Sequence, residues 1–200
     1  THKKDTPIQV ALLTRYPITT QNEIEVSVVA GVRNILEVEV DIKGKPLTLF
    51  VNHWKSKAYR GYESKRIQYA KALQFRIAKM PETKEYIILG DFNSDYNAYL
   101  TLEHKINDTH GKTAFNDVLK TKVGNYLVEE YQIMKAPKGV HYTLWKELPL
   151  EERWSHKFYG KKSSLDQTMS YLHLVNSTNK FHEVHSKGCC KLQLFGQYDQ

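Results

Sequence analysis

The segment Tyr86-Ile87-Ile88-Leu89-Gly90-Asp91-Phe92-Asn93 constrains the fold more than any other part of this sequence. Apolar residues without alternation predict a strand that is covered on both faces. The strand runs into Gly90, which allows a tight turn, and then into Asp91 and Asn93, whose side chains return to one side. Carboxylate and carboxamide oxygens at this position favour a magnesium or calcium site and a base that orients water. An ordinary turn uses the same residue types, so that interpretation stays open.

The elements around this segment are predicted from the spacing of apolar residues. Residues 8–13 form an apolar run before Tyr16-Pro17, which predicts a strand and a turn. Apolar and acidic residues alternate over 35–42, and a Gly-Pro turn separates them from residues 47–51, so we expect an antiparallel hairpin. Over 62–79 apolar residues recur every three or four positions, which predicts an amphipathic helix. A final strand is predicted over 165–174.

Two further segments place polar side chains at strand ends. His53 lies on the same face as residues 47, 49 and 51, from which an imidazole can contact a phosphate oxygen or move a proton. Asp166 lies on the opposite strand face from Leu165 and Gln167, and a carboxylate there can orient a catalytic histidine. Each residue also has an ordinary interpretation, as a hydrogen-bonded structural histidine and as a surface aspartate.

The charge balance suits a polyanionic partner. Twenty-nine Lys and Arg against 22 Asp and Glu give a net charge of +7, which attracts phosphates of nucleic acid or of anionic lipid headgroups. Many basic proteins are merely soluble, so the charge alone does not decide. The basic residues near the polar segments are Lys55, Lys57, Arg60, Lys65, Arg66, Lys157, Lys161 and Lys162.

Membrane and compartment signals are few. No run of about 18 apolar residues is present, so we expect no stable membrane insertion. Cys189 and Cys190 are adjacent and cannot join distant segments. No secretory signal is visible, but the chain begins at Thr1, so a secreted or periplasmic location stays open. The sequence does not indicate an oligomeric state.

The motifs taken in order resemble a known superfamily. Asn52-His53-Trp54-Lys55-Ser56-Lys57, a helix, Gly90-Asp91-Phe92-Asn93-Ser94-Asp95 and Ser164-Leu165-Asp166 are similar to the endonuclease/exonuclease/phosphatase superfamily, which includes pancreatic-type deoxyribonuclease. The resemblance covers roughly residues 8–175 and implies an α/β (α+β) fold. That fold is a four-layered sandwich of two mostly antiparallel sheets flanked by helices, here incomplete at both ends. We expect one partial domain over residues 1–187 and an irregular tail over 188–200.

The resemblance also implies an activity and the residues that carry it. The activity is Mg²⁺-dependent hydrolysis of a phosphodiester, with a nuclease acting on DNA or RNA as the main expectation. His53 would contact the phosphate, Asp91 would orient or deprotonate the attacking water, and Asn93 would help to hold the phosphate or a cation. Asp166 would pair with a second catalytic histidine, and the side chains at 53, 91 and 166 would meet around one bound anion. Asp91 and Asn93 would bind the metal, with Ca²⁺ or Mn²⁺ as alternatives to Mg²⁺. The substrate contacts implied are Asn52, Lys55, Lys57 and Arg66.

The family pattern is not complete in this chain. An early Asn, a metal-binding Glu and a terminal Ser-Asp-His motif have no counterpart here, and neither His182 nor His185 follows an Asp. Gln167 also departs from the residue that relatives often have after the Asp. Two alternatives to an active nuclease therefore stay open. One is an inactive remnant that at most binds polyanions, and the other is a phosphodiesterase acting on lipid headgroups.

Overall fold

The computed structural model describes residues 8–26, 32–57, 62–103 and 107–171. The strands are β1 Ile18–Ile24, β2 Ile35–Ile42, β3 Lys45–His53, β4 Tyr86–Asp91, β5 Lys122–Val123, β6 Tyr126–Leu127, β7 Tyr142–Thr143, β8 His156–Phe158, β9 Lys161–Ser163 and β10 Asp166–Ser170. The helices are α1 Glu63–Ala78, α2 Ala98–Thr101 and α3 Glu130–Ile133, with a π-helical turn at Ala114–Val118 and 3-10 turns at Leu144–Glu147 and Leu150–Glu152.

Six strands form one mixed sheet in the order β1-β2-β3-β4-β10-β7. β3 and β4 are parallel and are connected through α1, whereas the other neighbours in the sheet are antiparallel. β5 with β6 and β8 with β9 form two-stranded sheets. The α/β character agrees with the prediction. The described residues form one large sheet, where the resemblance implied two.

The face of the sheet that α1 covers holds the main core, and we call it the helix face. Phe50, Ile88 and Met169 point to this face from three adjacent strands and pack with the helix residues Tyr69 and Leu73. All five side chains are fully buried. Burying a large apolar side chain stabilises a fold by about 1.5–3 kcal/mol. The amphipathic stripe predicted over 62–79 therefore packs on the sheet as its spacing indicated.

The opposite face carries the other set of alternating residues, and we call it the site face. On β2 the apolar residues Val38 and Val40 lie on the site face and pack with Leu47 of β3. Glu37, which alternates with them, lies under α1, where Arg76 donates hydrogen bonds of 2.6 and 2.8 Å to its two carboxylate oxygens. A two-pronged arginine contact satisfies a buried carboxylate. The alternation in β2 was correctly predicted, but it did not show which face the helix covers.

Some predicted elements differ from the structure. Residues 8–13 are not a strand, and β1 lies further along the chain, in a polar and exposed segment. An edge strand hydrogen-bonds on one side only and needs no apolar pattern, so no local signal marked this one. The final strand is described as Asp166–Ser170. The predicted tail lies outside the described residues, as do Arg60, His182, His185, Cys189 and Cys190.

Within the described segments, no helix combines the length and the apolar character that a membrane crossing requires. The longest helical element there, α1, has 16 residues and contains several charged side chains.

Acid is expected to destabilise the chain through His141, which is fully buried. Its Nδ1 lies 2.5 Å from the carbonyl oxygen of Leu119, and its Nε2 lies 3.1 Å from the hydroxyl of Tyr86. Burial lowers the pKa of His141 from 6.5 to about 4. Since the folded state then binds fewer protons than the unfolded state, stability is present above pH 6.5 and is lost as pH falls toward 4.

The loss attributable to His141 is roughly 3 kcal/mol over that interval. Urea unfolding at pH 7.5 and pH 4.5 measures it, with His141→Gln as the comparison. The variant is expected to be less stable at pH 7.5 and to lose less on acidification. An equal loss in both proteins would contradict the assignment to His141.

Candidate active site

Three of the predicted site residues form one row across the sheet. His53 at the end of β3 is in register with Asp91 at the end of β4, and Asp91 is in register with Asp166 at the start of β10. Side chains in register on neighbouring strands project from the same face. The row therefore lies on the site face, at the edge where two parallel strands end and an antiparallel strand begins.

His53 and Asp91 are close and partly open to solvent. Nε2 of His53 lies 3.7 Å from Oδ2 of Asp91, and the side chains are 29% and 33% exposed. Burial, together with the nearby charge of Arg33, lowers the pKa of His53 to about 4. The imidazole is therefore neutral at pH 7. Its contact with Asp91 is between a neutral ring and a carboxylate, so the ring can still donate or accept a proton.

The carboxylate of Asp91 is held in place by the turn that follows it. The backbone N–H of Asn93 donates to Oδ1 of Asp91 at 2.8 Å. Burial raises the pKa of Asp91 to about 6; the Asn93 hydrogen bond opposes this effect, and the charge of Asp166 adds to it. Asp91 is thus an ionised base near neutral pH with one oxygen already occupied. Oδ2, the oxygen that faces His53, is the one positioned for a substrate or a water.

Asn93 closes the turn in a conformation that few residues adopt. Its φ is +47°, in the left-handed region where Asn is among the best tolerated residues. Its Nδ2 donates to the carbonyl oxygen of Trp54 at 3.1 Å, which ties the turn after β4 to the end of β3. The carboxamide oxygen of Asn93 is the part of the side chain that remains to bind a ligand.

Gly90 allows β3 and β4 to approach each other at this edge. Its φ is +129°, and a Cβ added there would lie 2.0 Å from the carbonyl oxygen of Asn52. The sequence predicted that Gly90 allows a tight turn. The structure shows that it is also required for the close contact between the backbones of β3 and β4.

Asp166 is positioned by the segment before β8. The hydroxyl of Ser155 accepts a hydrogen bond of 3.0 Å from the backbone N–H of Asp166, and Nε1 of Trp145 donates to its carbonyl oxygen at 2.8 Å. Burial raises the pKa of Asp166, while Ser155 and His156 lower it. Among the described residues, His156 is the histidine whose charge lowers the pKa of Asp166. The second catalytic histidine that the resemblance implied stays a prediction.

A hydrogen-bonded bridge holds the segments around the row together. Nζ of Lys57 donates to Oδ2 of Asp95 at 2.6 Å, and Oδ1 of Asp95 accepts the backbone N–H of Ser164 at 2.9 Å. The backbone N–H of Tyr96 donates to the hydroxyl of Ser164. Asp95 therefore connects the segment after β3 to the residues that lead into Asp166.

The four residues expected to contact substrate are placed differently from one another. Asn52 is buried, and its amide is hydrogen-bonded to the carbonyl of Phe50 and to the indole N–H of Trp54. Arg66 is fully buried, donating to Glu63 and to the carbonyl of Lys55. Neither side chain reaches solvent, so both support the site from inside. Lys57 is paired with Asp95, and Lys55, with its amine 5.5 Å from the ring of Tyr62, is partly exposed.

Arg33 is a site residue that sequence reasoning missed. Its guanidinium donates to the carbonyl oxygens of His53 and Trp54 at 3.4 and 3.5 Å. Its charge contributes to the lowered pKa of His53 and opposes the rise in the pKa of Asp91. Arg33 precedes β2 and lies in no recognisable motif. Only the register between β2 and β3 brings it to the site, so a local pattern could not have found it.

The donors at this edge suit a hard cation. Asp91 and Asp166 are neighbouring carboxylates; burial raises the pKa of Asp91, the charge of Asp166 adds to this rise, and a cation would relieve that repulsion. Asn93 adds a carboxamide oxygen. Among the described residues, no three His, Cys, Asp or Glu side chains cluster as a complete metal cage. Mg²⁺ does not need one, because it usually keeps several waters and binds one or two carboxylates together with substrate phosphate.

A groove of about 600 Å³ lies elsewhere, between β1 and α1, and includes Glu37, Phe75 and Arg76 in its lining. It is on the helix face, whereas the polar row is on the site face. The groove therefore does not contribute to the candidate site.

Comparison with known proteins finds similarity in structure but not in sequence. No family model matches the chain, and no curated protein matches it. Among solved structures, the chain is similar to a humanised D. rerio TDP2 with 14 mutations, at 17% identity and a TM-score of 0.49, over 78% of this chain and 52% of that one.

Two other solved structures give similar values. An endonuclease/exonuclease/phosphatase family protein from Leptotrichia buccalis has 14% identity and a TM-score of 0.48, over 78% of this chain and 51% of that one. The human Nocturnin catalytic domain with bound sulfate has 14% identity and a TM-score of 0.46, over 80% and 49%. The chain spans about half the length of these structures. Similarity at this level does not assign a family or an activity.

Proposed function

We propose that this chain carries the catalytic edge of a Mg²⁺-dependent phosphodiesterase, most simply a nuclease that hydrolyses DNA or RNA. The observation that supports this most strongly is the row of His53, Asp91 and Asp166 on the site face. A neutral imidazole, an ionised carboxylate and a second carboxylate at one strand edge are the groups that water attack on a phosphodiester requires. We also propose that the six-stranded sheet is one of the two sheets of a four-layered sandwich.

His53 and Asp91 have different roles in the proposed reaction. Oδ2 of Asp91 orients the attacking water and accepts its proton, since the carboxylate is ionised above about pH 6. His53, neutral at pH 7, donates a ring N–H to a non-bridging phosphate oxygen. Asn93 would offer its carboxamide oxygen to the same ligand, since hydrogen bonds to Asp91 and to the carbonyl of Trp54 fix its backbone and side chain.

Asp91 and Asn93 would hold the metal ion. Asp166, which is in register with Asp91, would add a second negative charge near the ion. When bound, Mg²⁺ stabilises the oxygens that gain negative charge in phosphoryl transfer. Arg33 contributes positive charge behind the backbone of His53, and this charge adds to burial in lowering the pKa of that imidazole. Lys55, which is partly exposed two residues after His53, would contact the substrate backbone, in line with the basic character of the whole chain.

Plasmid nicking tests the proposal. The purified chain is incubated with supercoiled plasmid or with a mixed-sequence RNA, in Mg²⁺ or in EDTA. We expect cleavage of one polymer in Mg²⁺ and none in EDTA, because the carboxylate row needs a cation to approach a phosphate anion.

A set of parallel reactions separates the alternatives. Cleavage that is equal in Mg²⁺ and EDTA would show a contaminating activity and contradict a metal-dependent site. Binding of both polymers without cleavage would support the inactive remnant. Turnover of a phospholipid headgroup with neither polymer cleaved would support the lipid phosphodiesterase.

A further inference from the structure

The hairpin over residues 154–163, whose base is hydrogen-bonded to Asp166, exposes aromatic rings. β8 and β9 pair through Phe158 and Lys161, so Tyr159 and Gly160 form a two-residue turn. Phe158 is 64% exposed, Tyr159 is 94% exposed, and Trp154 at the base is also exposed. Monomeric proteins usually turn such rings inward, so three exposed rings on one short hairpin indicate a binding surface.

The turn itself is unusual for a tyrosine. Tyr159 has a φ of +45° and Gly160 a φ of +80°, as in a type I′ turn, where Asn-Gly is the favoured sequence. A bulky residue with positive φ is strained. The Tyr159 ring contacts the ring of Phe158 edge-on, with 4.5 Å between the ring centres, but Tyr159 is still 94% exposed, so burial offsets little of this strain. A tyrosine that combines a strained backbone with an exposed ring at the tip of a hairpin is consistent with a role in contacting a ligand.

The charges on the hairpin are all positive. Lys157 precedes the adjacent rings Phe158 and Tyr159, Lys161 and Lys162 follow them after Gly160, and residues 154–163 contain no Asp or Glu. Nζ of Lys162 lies 4.6 Å from the centre of the Trp154 ring, and Lys161 lies 3.6 Å from a carboxylate oxygen of Glu103. Both of these contacts are at exposed positions and can be exchanged for contacts with a phosphate.

The base of the hairpin is attached to the candidate site. The backbone N–H of Ser155 donates to the carbonyl of Ser163, and the hydroxyl of Ser155 accepts from the backbone N–H of Asp166. From Ser155 to the turn the strand rises about 3.3 Å per residue, so the exposed rings lie roughly 10 Å beyond the hairpin base. A nucleic acid bound at the row can therefore reach these rings with nucleotides a few positions from the bound phosphate.

We propose that residues 154–163 form a stacking surface for unpaired bases of a nucleic acid whose scissile phosphate lies at His53, Asp91 and Asp166. The inference rests on the proposed function and names its substrate as nucleic acid with single-stranded segments. Phe158 and Tyr159 stack on bases, and the lysines neutralise the phosphates between them. The lysines that flank the rings favour a polyanion, and the exposed ring faces are what successive unpaired bases stack on, so nucleic acid is the partner that uses both features.

Binding without turnover tests the proposal on the whole chain. Fluorescence anisotropy with a labelled single-stranded oligonucleotide and its duplex is measured in EDTA. Tyr159→Asn is expected to weaken single-strand binding about fivefold or more and duplex binding less than twofold. Asn is the favoured residue for this turn, so the variant is expected to melt no lower than the wild type.

Tyr126→Asn is the matched control. Tyr126 is 79% exposed on the other two-stranded hairpin, so its replacement removes an exposed ring of the same kind. It is expected to leave the affinity for both oligonucleotides unchanged. Equal weakening by Tyr126→Asn and Tyr159→Asn would overturn a specific stacking surface.

Replacing Lys157, Lys161 and Lys162 by glutamine tests the charge. The slope of the logarithm of the affinity against the logarithm of the salt concentration is expected to fall in magnitude by about 2, since each single-strand phosphate contact contributes about 0.7. An unchanged slope would show that these lysines do not contact phosphates and would overturn that part of the proposal.

A vesicle assay distinguishes a nucleic acid from a lipid surface. Sedimentation with phosphatidylserine–phosphatidylcholine vesicles is compared for wild type and Tyr159→Asn. Loss of vesicle binding with unchanged oligonucleotide binding would overturn the inference in favour of a membrane contact. Because these measurements need no catalysis, a chain that fails to cleave but loses affinity through Tyr159→Asn would contradict the proposed function and leave the stacking surface supported.

Discussion

Replacing Asp91 by asparagine is expected to lower phosphodiester cleavage about 10³-fold or more. Asn keeps the shape of the side chain and an oxygen that can accept the N–H of Asn93, but it removes the negative charge and the base. A positioned general base typically contributes about 10²–10⁴-fold, and the same change removes a metal-binding charge. The measurement is the rate of plasmid or RNA cleavage in Mg²⁺, together with a thermal melt.

The melt separates chemistry from folding. The neutral amide would no longer repel Asp166, whose charge raises the pKa of Asp91 in the wild type, so Asp91→Asn is expected to be at least as stable as the wild type. Asp41→Asn is the matched control. Asp41 lies at the opposite end of the sheet, where Oδ1 accepts the backbone N–H of Gly44, and the substituted amide can accept it too. Retained cleavage in Asp91→Asn would remove Asp91 from the proposed mechanism.

Gly90→Ala is expected to reduce the free energy of unfolding by about 3–5 kcal/mol. Two effects add at this position. A φ of +129° is unfavourable for any residue with a Cβ, and that Cβ would lie 2.0 Å from the carbonyl oxygen of Asn52. The obstacle is backbone in a central parallel pair, so it cannot move aside as a flexible side chain would. Urea unfolding at pH 7.5 measures the change.

Gly44→Ala separates the two effects. Gly44 has a φ of +83°, and a Cβ there would meet nothing within 4 Å. Its substitution therefore reports the strain of positive φ alone, which we expect to cost about 1–2 kcal/mol. Equal losses in the two variants would show that close approach to Asn52 contributes nothing.

The parts of the fold that a local pattern encodes were predictable from the sequence. The helix predicted over 62–79 is α1, Glu63–Ala78, and the unbroken apolar run before Gly90 is the central strand β4. The positions of His53, Asp91 and Asp166 at strand ends followed from the apolar segment that each residue ends or begins. For His53 and Asp166, alternation also gave the face of the strand on which the side chain lies, and the register between the strands brings the three side chains together.

Features that depend on pairing between distant strands were not predictable. Arg33 reaches His53 only because β2 is aligned with β3, and its own surroundings in the sequence carry no pattern. The burial of Asn52 and Arg66 was missed for a related reason, because polar side chains near a motif are assumed to face solvent unless their partners are known. Lys157, Lys161 and Lys162 were noted in the sequence, but the hairpin that carries them was not predicted, since a Tyr-Gly turn is a weak turn signal.

If the proposed activity is present, the alignment of the candidate site makes the cleavage rate a sensitive measure of correct sheet assembly. The side chains at positions 53, 91 and 166 come from strands that are distant in the sequence and meet only through hydrogen-bonding register. If one of these strands slipped by a single residue, its contributing side chain would turn to the opposite surface. A compact but misaligned chain could keep its secondary structure and its helix packing, and it would still have no working centre.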